Sequence, residues 1–217
     1  RDYAEYFRQT QTTEKQAQGS GLLARAKGRN GYSLGRYAEN DLYGAFRNKK
    51  ISERKAVSIA NTVPNDIDLQ LIGMNYADGH SADEIKNYLH AVKTIAPREA
   101  GGQMSLFGTD DKWQKEADKM AGAVTSLEKA AKSELALLKS AGKLDQQKYK
   151  EFLKQYKIKT GDTKAIGEQI KKLEKEIFEL GNWASHPDIV KKVKKLAGVV
   201  EAEAIASPLE REGAIHD

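Results

Sequence analysis

The stretch "WQKEADKMAGAVTSLEKAAKSELALL", residues 113–138, decides the fold class. Trp113, Ala117, Met120, Val124, Leu127 and Ala131 recur at alternating steps of four and three, and Leu135 and Leu138 continue the stripe with a small phase shift. At about 3.6 residues per turn these positions fall on one side of a helix and leave Lys and Glu on the other. Ile166, Ile170, Leu173, Ile177 and Leu180 repeat the rhythm, as do Ile189, Val193, Leu196 and Val200. A shorter helix bearing Tyr149, Phe152, Leu153 and Tyr156 is expected between Gly142 and Gly161. The last helix is expected to open at "SHPD", with Ser185 as N-cap, Pro187 in the first turn and Asp188 closing a capping box. Seams of this kind belong to a long-helix bundle or an antiparallel coiled-coil hairpin, and helix-mediated self-association is one use for them.

Upstream the texture is shorter. One helix is expected over 3–17, followed by the turn-prone "QGSG", an apolar piece at Leu22 and Leu23, and a second turn at "KGRNGYS". Ser33 is expected to cap a helix carrying Leu34, Tyr37, Ala38, Leu42, Ala45 and Phe46. Ser52 caps the next, with Ala56, Ile59, Ala60 and Val63 on one face, and Pro64 stops it. A further helix carries Leu69, Ile72, Met74 and Tyr76 and ends near Gly79. Ser81 and Glu84 then form a capping box before the stripe Ile85, Tyr88, Leu89, Val92, Ile95. With no sustained alternating pattern, the fold class is all-α. The expected organisation is a multi-helix domain over 1–95, a glycine-containing linker over 96–111, the long-helix bundle over 112–206 and a tail over 207–217.

Apolar residues make up 39% and charged residues 31% of 217, which fits a charge-rich globular chain with enough length for a core. No apolar run approaches the roughly 20 residues of a membrane-spanning helix, so no membrane partner is expected. Cysteine is absent, which excludes disulfides and thiolate chemistry and suits a reducing bacterial cytoplasm. The chain opens at Arg1 in a helical pattern and is expected to be part of a longer protein. The net charge of +5 is unevenly spread. Arg25, Lys27, Arg29 and Arg36 have no acid between them, and Arg47, Lys49, Lys50, Arg54 and Lys55 follow with Glu53 as the only interruption. Such a run can face phosphates, or it can be a solvated surface.

Catalytic groupings are thin. His80, His90, His186 and His216 lie in different elements without metal-ligand spacing, and neither "GSG" nor "GDTK" has the full glycine, lysine and hydroxyl spacing of a nucleotide loop. No catalytic residue, metal or cofactor is expected, and the segment is read as non-enzymatic by itself.

The string "KKISERKAVSIANTVPNDIDLQLIGMNYADGHSADEIKNYLHAV", residues 49–92, resembles a recurring segment of the ParB-like partition proteins. There Ile or Leu with Ser opens a helix with an inward Ala, a D/N-x-x-x-Q helix follows, and an S-x-x-E helix comes last. Here these are Ile51 and Ser52 with Ala56, Asn65 to Gln70, and Ser81 to Glu84. Followed by a "SLFG-D" linker and a long charged helix, the order looks closest to the DdrB-like ParB superfamily. Its segments sit inside large polyvalent proteins of phages and mobile elements, beside methyltransferase, helicase and anti-restriction modules. The likeness covers residues 30–111, and the C-terminal helices loosely. It implies a helix-turn-helix just upstream that reads double-stranded DNA, with "YSLGRYAENDLYGAF" as its second helix. Phosphate contacts would then come from Arg25, Lys27, Arg29, Arg36, Arg47, Lys49, Lys50 and Arg54. The arginine-rich nucleotide motif of true partition proteins is not in this chain, so no CTP switch is assigned. The alternative is a structural or protein-interaction module, a helical spacer or docking segment, within such a protein.

The linker "APREAGGQMSLFGTDD", residues 96–111, carries apolar residues in a polar setting. Its core "QMSLF" resembles the short peptides with which bacterial DNA-processing proteins dock onto the sliding clamp. Gln103 would bond at the pocket rim, with Leu106 and Phe107 filling the pocket and Met104 standing where Leu is usual. The bland alternative, that Leu106 and Phe107 anchor the seam between the two halves, is the favoured one. Burial of Phe107 separates them.

Overall fold

The computed structural model describes residues 2–95, 112–141, 146–159 and 163–199, and all regular structure among them is helical. Seven shorter helices come first: α1 Tyr3–Thr10, α2 Glu14–Gly19, α3 Ala26–Arg36, α4 Asn40–Arg47, α5 Glu53–Thr62, α6 Ile67–Tyr76 and α7 Ala82–Ile95. Four follow: α8 Lys112–Lys139, α9 Gln146–Gln155, α10 Thr163–Gly181 and α11 Pro187–Ala197, with a 3-10 turn at Trp183–Ser185 before α11.

Capping sets many of these boundaries. Ser52 accepts from Lys55 N–H, Asp66 from Leu69 N–H, and Thr13 with Gln16 forms a full capping box. The box expected before α7 is present: Ser81 N–H donates to Glu84 at 2.8 Å and Glu84 N–H donates to the Ser81 hydroxyl at 3.3 Å. The box expected before α11 is absent. Ser185 belongs to the 3-10 turn, and His186 is the N-cap, without a side-chain bond.

The first half departs from the expected pattern at several points. The helix over 3–17 is two helices, because Gln11 turns left-handed (φ 53°) and Thr13 starts α2 afresh. "KGRNGYS" is not a turn but the body of α3, and Ser33 is no cap: its hydroxyl donates to Arg29 O, one turn back. Locally these glycines signal a break, yet packing explains them. A Cβ at Gly31 would lie 2.3 Å from Tyr3 Cβ, and one at Gly35 2.6 Å from Ala4 O. Their lack of side chains lets α1 lie directly on α3, and that contact offsets the roughly 1 kcal/mol that each glycine costs a helix interior.

The helix expected from Ser33 through Phe46 also breaks, at Tyr37–Glu39, between α3 and α4. Gln70, 1% exposed on α6, holds that break. Its amide nitrogen donates to Tyr37 O (2.7 Å) and Val63 O (2.9 Å), and its amide oxygen accepts from Glu39 N–H at 2.8 Å. Asn65, left-handed at φ 54°, donates its own N–H to Tyr37 O at 3.0 Å. One buried amide thus ties the α3–α4 turn to the end of α5.

The main core joins α3–α7 to the N-terminal half of α8. Leu34, Leu42, Ile59, Leu69, Ile85, Leu89 and Val92 share it with Ala117, Met120, Val124, Trp183 and Val193. A second cluster gathers the C-terminal half of α8 (Ala131, Leu138) with Phe152 and Leu153 of α9 and Leu173 and Leu180 of α10. α10 runs back along α8, since Lys139 pairs with Glu174 at 2.7 Å while Trp183, beyond the end of α10, reaches the Met120–Val124 region. Trp183 is fully buried, and its indole N–H has no partner among the described residues. Burying that ring is worth roughly 4–6 kcal/mol by area, more than the about 1–3 kcal/mol that one unmade bond costs. Leu196 departs from its expected seam position: it is 58% exposed, whereas Ile189 and Val193 pack inward.

Candidate nucleic-acid interface

The fold sorts the expected cations into tethered and untethered groups. Arg29 donates to Leu23 O and Ala24 O, both at 3.0 Å, and so closes the turn leading into α3. Arg36 donates to the Gln11 side chain, and Arg47 pairs with Asp2. Arg54 stands 3.8 Å from Asp83 with both side chains largely in water, so that pair contributes at most about 1 kcal/mol. Arg25, Lys27, Lys49 and Lys50 are exposed, and their side chains make no hydrogen bond or ion pair with a described residue.

Position follows from helix phase. Arg25, Arg29 and Arg36 are spaced by four and seven and share one side of α3, while Lys27 lies roughly 200° around the axis. Lys27 lines a cavity of about 360 Å3 with Asp2, Gly31, Phe46 and Glu53. Glu53 is fixed there, accepting from the Asn30 amide at 2.8 Å. Lys50 borders a neighbouring cavity of about 300 Å3 with Ser52 and Lys55. Between these two lysines the chain turns tightly out of α4: Lys50 N–H donates to Ala45 O and Lys49 N–H to Phe46 O, with Lys49 left-handed at φ 57°. That is the residue pattern of a Schellman cap with lysine where glycine is usual. The α4–α5 corner therefore gathers Lys27, Arg47, Lys49 and Lys50 against Asp2 and Glu53. Lys55 does not join it, because its ammonium donates to Ala77 O at 2.8 Å.

The histidines separate by environment. His90 sits edge-on to Trp183, ring centres 6.3 Å apart, and burial, reinforced by Lys86 and Lys93, pushes its pKa down to about 4. It is a neutral packing group. His80 stacks on Tyr76 at 3.9 Å, and Tyr76 in turn stacks on Tyr88 at 3.8 Å. Tyr76 donates its hydroxyl to Asp118 at 2.7 Å, and burial followed by that bond pushes its pKa up. Nothing in the sequence marked this ring column, because its members come from two helices and the turn between them. Among the described residues no set of three His, Asp or Glu side chains is placed to hold a metal, and no helix is long and apolar enough to cross a membrane. Gln103, Met104, Leu106 and Phe107 lie outside the described residues, as does His216. No family model, no curated protein and no solved structure matches the chain.

Proposed function

We propose that this chain is a non-catalytic DNA-associated module of a larger phage or mobile-element protein, contacting duplex phosphates through the α4–α5 corner. The supporting observation is that Lys27, Lys49 and Lys50 stand exposed around one corner, their side chains unpaired among the described residues, beside the paired Arg47. The ParB-like order of motifs in 49–92 supports the same reading, since in that family this segment adjoins the DNA-reading element. Arg25 adds a contact on the other side of α3. Arg29 and Arg36 serve mainly to hold the chain, so their charge is partly committed.

The experiment is duplex binding at rising salt, comparing the wild type with Lys27→Glu/Lys49→Glu/Lys50→Glu. Losing three phosphate contacts lowers the slope of log affinity against log salt by about 2.7 and weakens low-salt binding well over tenfold. Lys49→Gly separates charge from fold. It relieves a left-handed lysine, so it is expected to stabilise the chain while weakening DNA binding. No wild-type binding at low salt, or equal binding by the triple variant, refutes the proposal.

A second reading, a helical docking or self-associating module, is favoured by large apolar side chains left in water on the C-terminal helices. Phe178 is 70% exposed and Leu196 58%. Its test is mass in solution: a dimer that reverts to monomer on Phe178→Lys supports it, and a monomer at all concentrations removes it.

A further inference from the structure

A polar cavity of about 290 Å3 lies between the α6–α7 turn and α8, lined by Tyr76, His80, Glu84, Asp118, Gly122, Ser126 and Lys129, with Thr125 and Ala121 on its α8 side. Its wall is the exposed end of the ring column described above. Tyr76 has both faces covered, by His80 and Tyr88. Among the described residues His80 has one ring neighbour, and it ends the stack at the cavity. Its ring is anchored: Nδ1 lies 2.8 Å from both Tyr76 O and Asp78 O. Both are acceptors, so Nδ1 carries a proton and donates to them. The platform is therefore a ring held in one orientation.

The opposite wall is open where a helix would normally be filled. Gly122 lies inside α8, and a Cβ there would meet nothing within 4 Å. Packing does not require the glycine, although glycine weakens a helix interior, and its absence of side chain widens the cavity. Around this space Asp118 accepts from Tyr76 through Oδ1 and keeps Oδ2, while the side chains of Lys129 and Ser126 make no hydrogen bond or ion pair with a described residue, the Lys129 ammonium acting on Glu84 only through its charge.

We infer that this cavity is a nucleobase site, in which a base stacks on His80 as the next ring of the column. The carboxylate of Asp118 accepts from an exocyclic amine, and Lys129 donates to a ring carbonyl. A volume of 290 Å3 admits one base and its sugar but little more. A base that carries both an amine and a carbonyl, guanine or cytosine, satisfies both partners; adenine lacks the carbonyl and uracil the amine. Stacking on an aromatic ring is how proteins commonly hold unpaired bases. The site is separate from the α4–α5 cations and does not depend on duplex binding.

The test is calorimetric titration of the full chain with GMP, CMP, AMP and UMP, with ribose 5-phosphate as the phosphate control, and with single-stranded oligo(dC) as the second arm. Expected is saturable binding of GMP or CMP, or of the oligomer, at least tenfold tighter than AMP, UMP or ribose 5-phosphate. Free mononucleotide binding identifies a small-molecule ligand, and binding of the oligomer alone identifies an unpaired base in a strand. Gly122→Leu fills the cavity with a better helix former, so it keeps the helical signal and weakens binding at least tenfold. Lys129→Ala weakens it severalfold and narrows the preference for GMP and CMP over AMP. No binding of any ligand at millimolar concentration, or binding unchanged in folded Gly122→Leu, overturns the inference. Duplex binding by Gly122→Leu stays at the wild-type level, so failure here and failure of the phosphate surface are read independently.

Discussion

Replacing Gln70 by Ala removes three hydrogen bonds at once, and the structure says which groups are then stranded. Tyr37 O keeps the Asn65 N–H, so it is not orphaned. Glu39 N–H and Val63 O have Gln70 as their partner and lose it. The buried Val63 O costs about 1–3 kcal/mol when unmade and the part-buried Glu39 N–H about 1 kcal/mol, so the loss is about 2–4 kcal/mol before the cavity left by the side chain is counted. Against the roughly 5–15 kcal/mol of a whole domain, that is a large share. Urea unfolding followed by helical circular dichroism measures it, with exposed Gln18→Ala as the control, expected within about 0.5 kcal/mol of wild type. Hydrogen exchange at Glu39 N–H should accelerate even in unfolded-state-free conditions, because the turn frees locally. Gln70→Glu gives a signed check. Protonated, the new side chain still accepts from Glu39 N–H and donates to one carbonyl. Ionised, it sits buried against the oxygens of Tyr37 and Val63. Its folded pKa is therefore raised above the unfolded value near 4.3, and relative to wild type it is more stable at pH 4 than at pH 7. A loss below about 1 kcal/mol for Gln70→Ala would refute the role given to this amide.

Gly31→Ala and Gly35→Ala force a Cβ to 2.3 Å and 2.6 Å from α1, so each lowers stability by about 1–3 kcal/mol or more, whereas Gly44→Ala meets open space and raises it by up to about 1 kcal/mol; thermal melts compare the three. His90 titrates below its unfolded value near 6.5, so the unfolded chain binds the proton first and stability falls as pH drops from about 6.5 toward about 4. Denaturant midpoints across that range should drop less steeply in His90→Gln than in wild type, and parallel curves would show that the group is not responsible. For the linker, retention of the chain on immobilised bacterial sliding clamp, lost in Leu106→Ala/Phe107→Ala, is the outcome the docking peptide predicts. No retention of wild type leaves the internal anchor as the reading of those residues.

Local signals in the chain carried much of this fold. The Ser81–Glu84 box, the Ser52 cap, the stop at Pro64 and the four-three stripes of α8 and α10 are determined within one or two turns, by backbone bonding and by which side of a helix can leave water. The α3 helix was not legible, because its glycines signal a break locally and become favourable only when α1 lies against them. The break after Arg36 was hidden for the opposite reason: the apolar spacing continues through it, and the groups that hold it open come from Gln70 and Asn65, about thirty residues away. The cations divide in the same way. Sequence alone determined that positive charge concentrates between residues 25 and 55. Tertiary structure decided that Arg29, Arg36, Arg47 and Lys55 place theirs on carbonyls, an amide and Asp2, while the Lys27, Lys49 and Lys50 ammonium groups bond to no described residue, because only folding brings those acceptors within bonding distance.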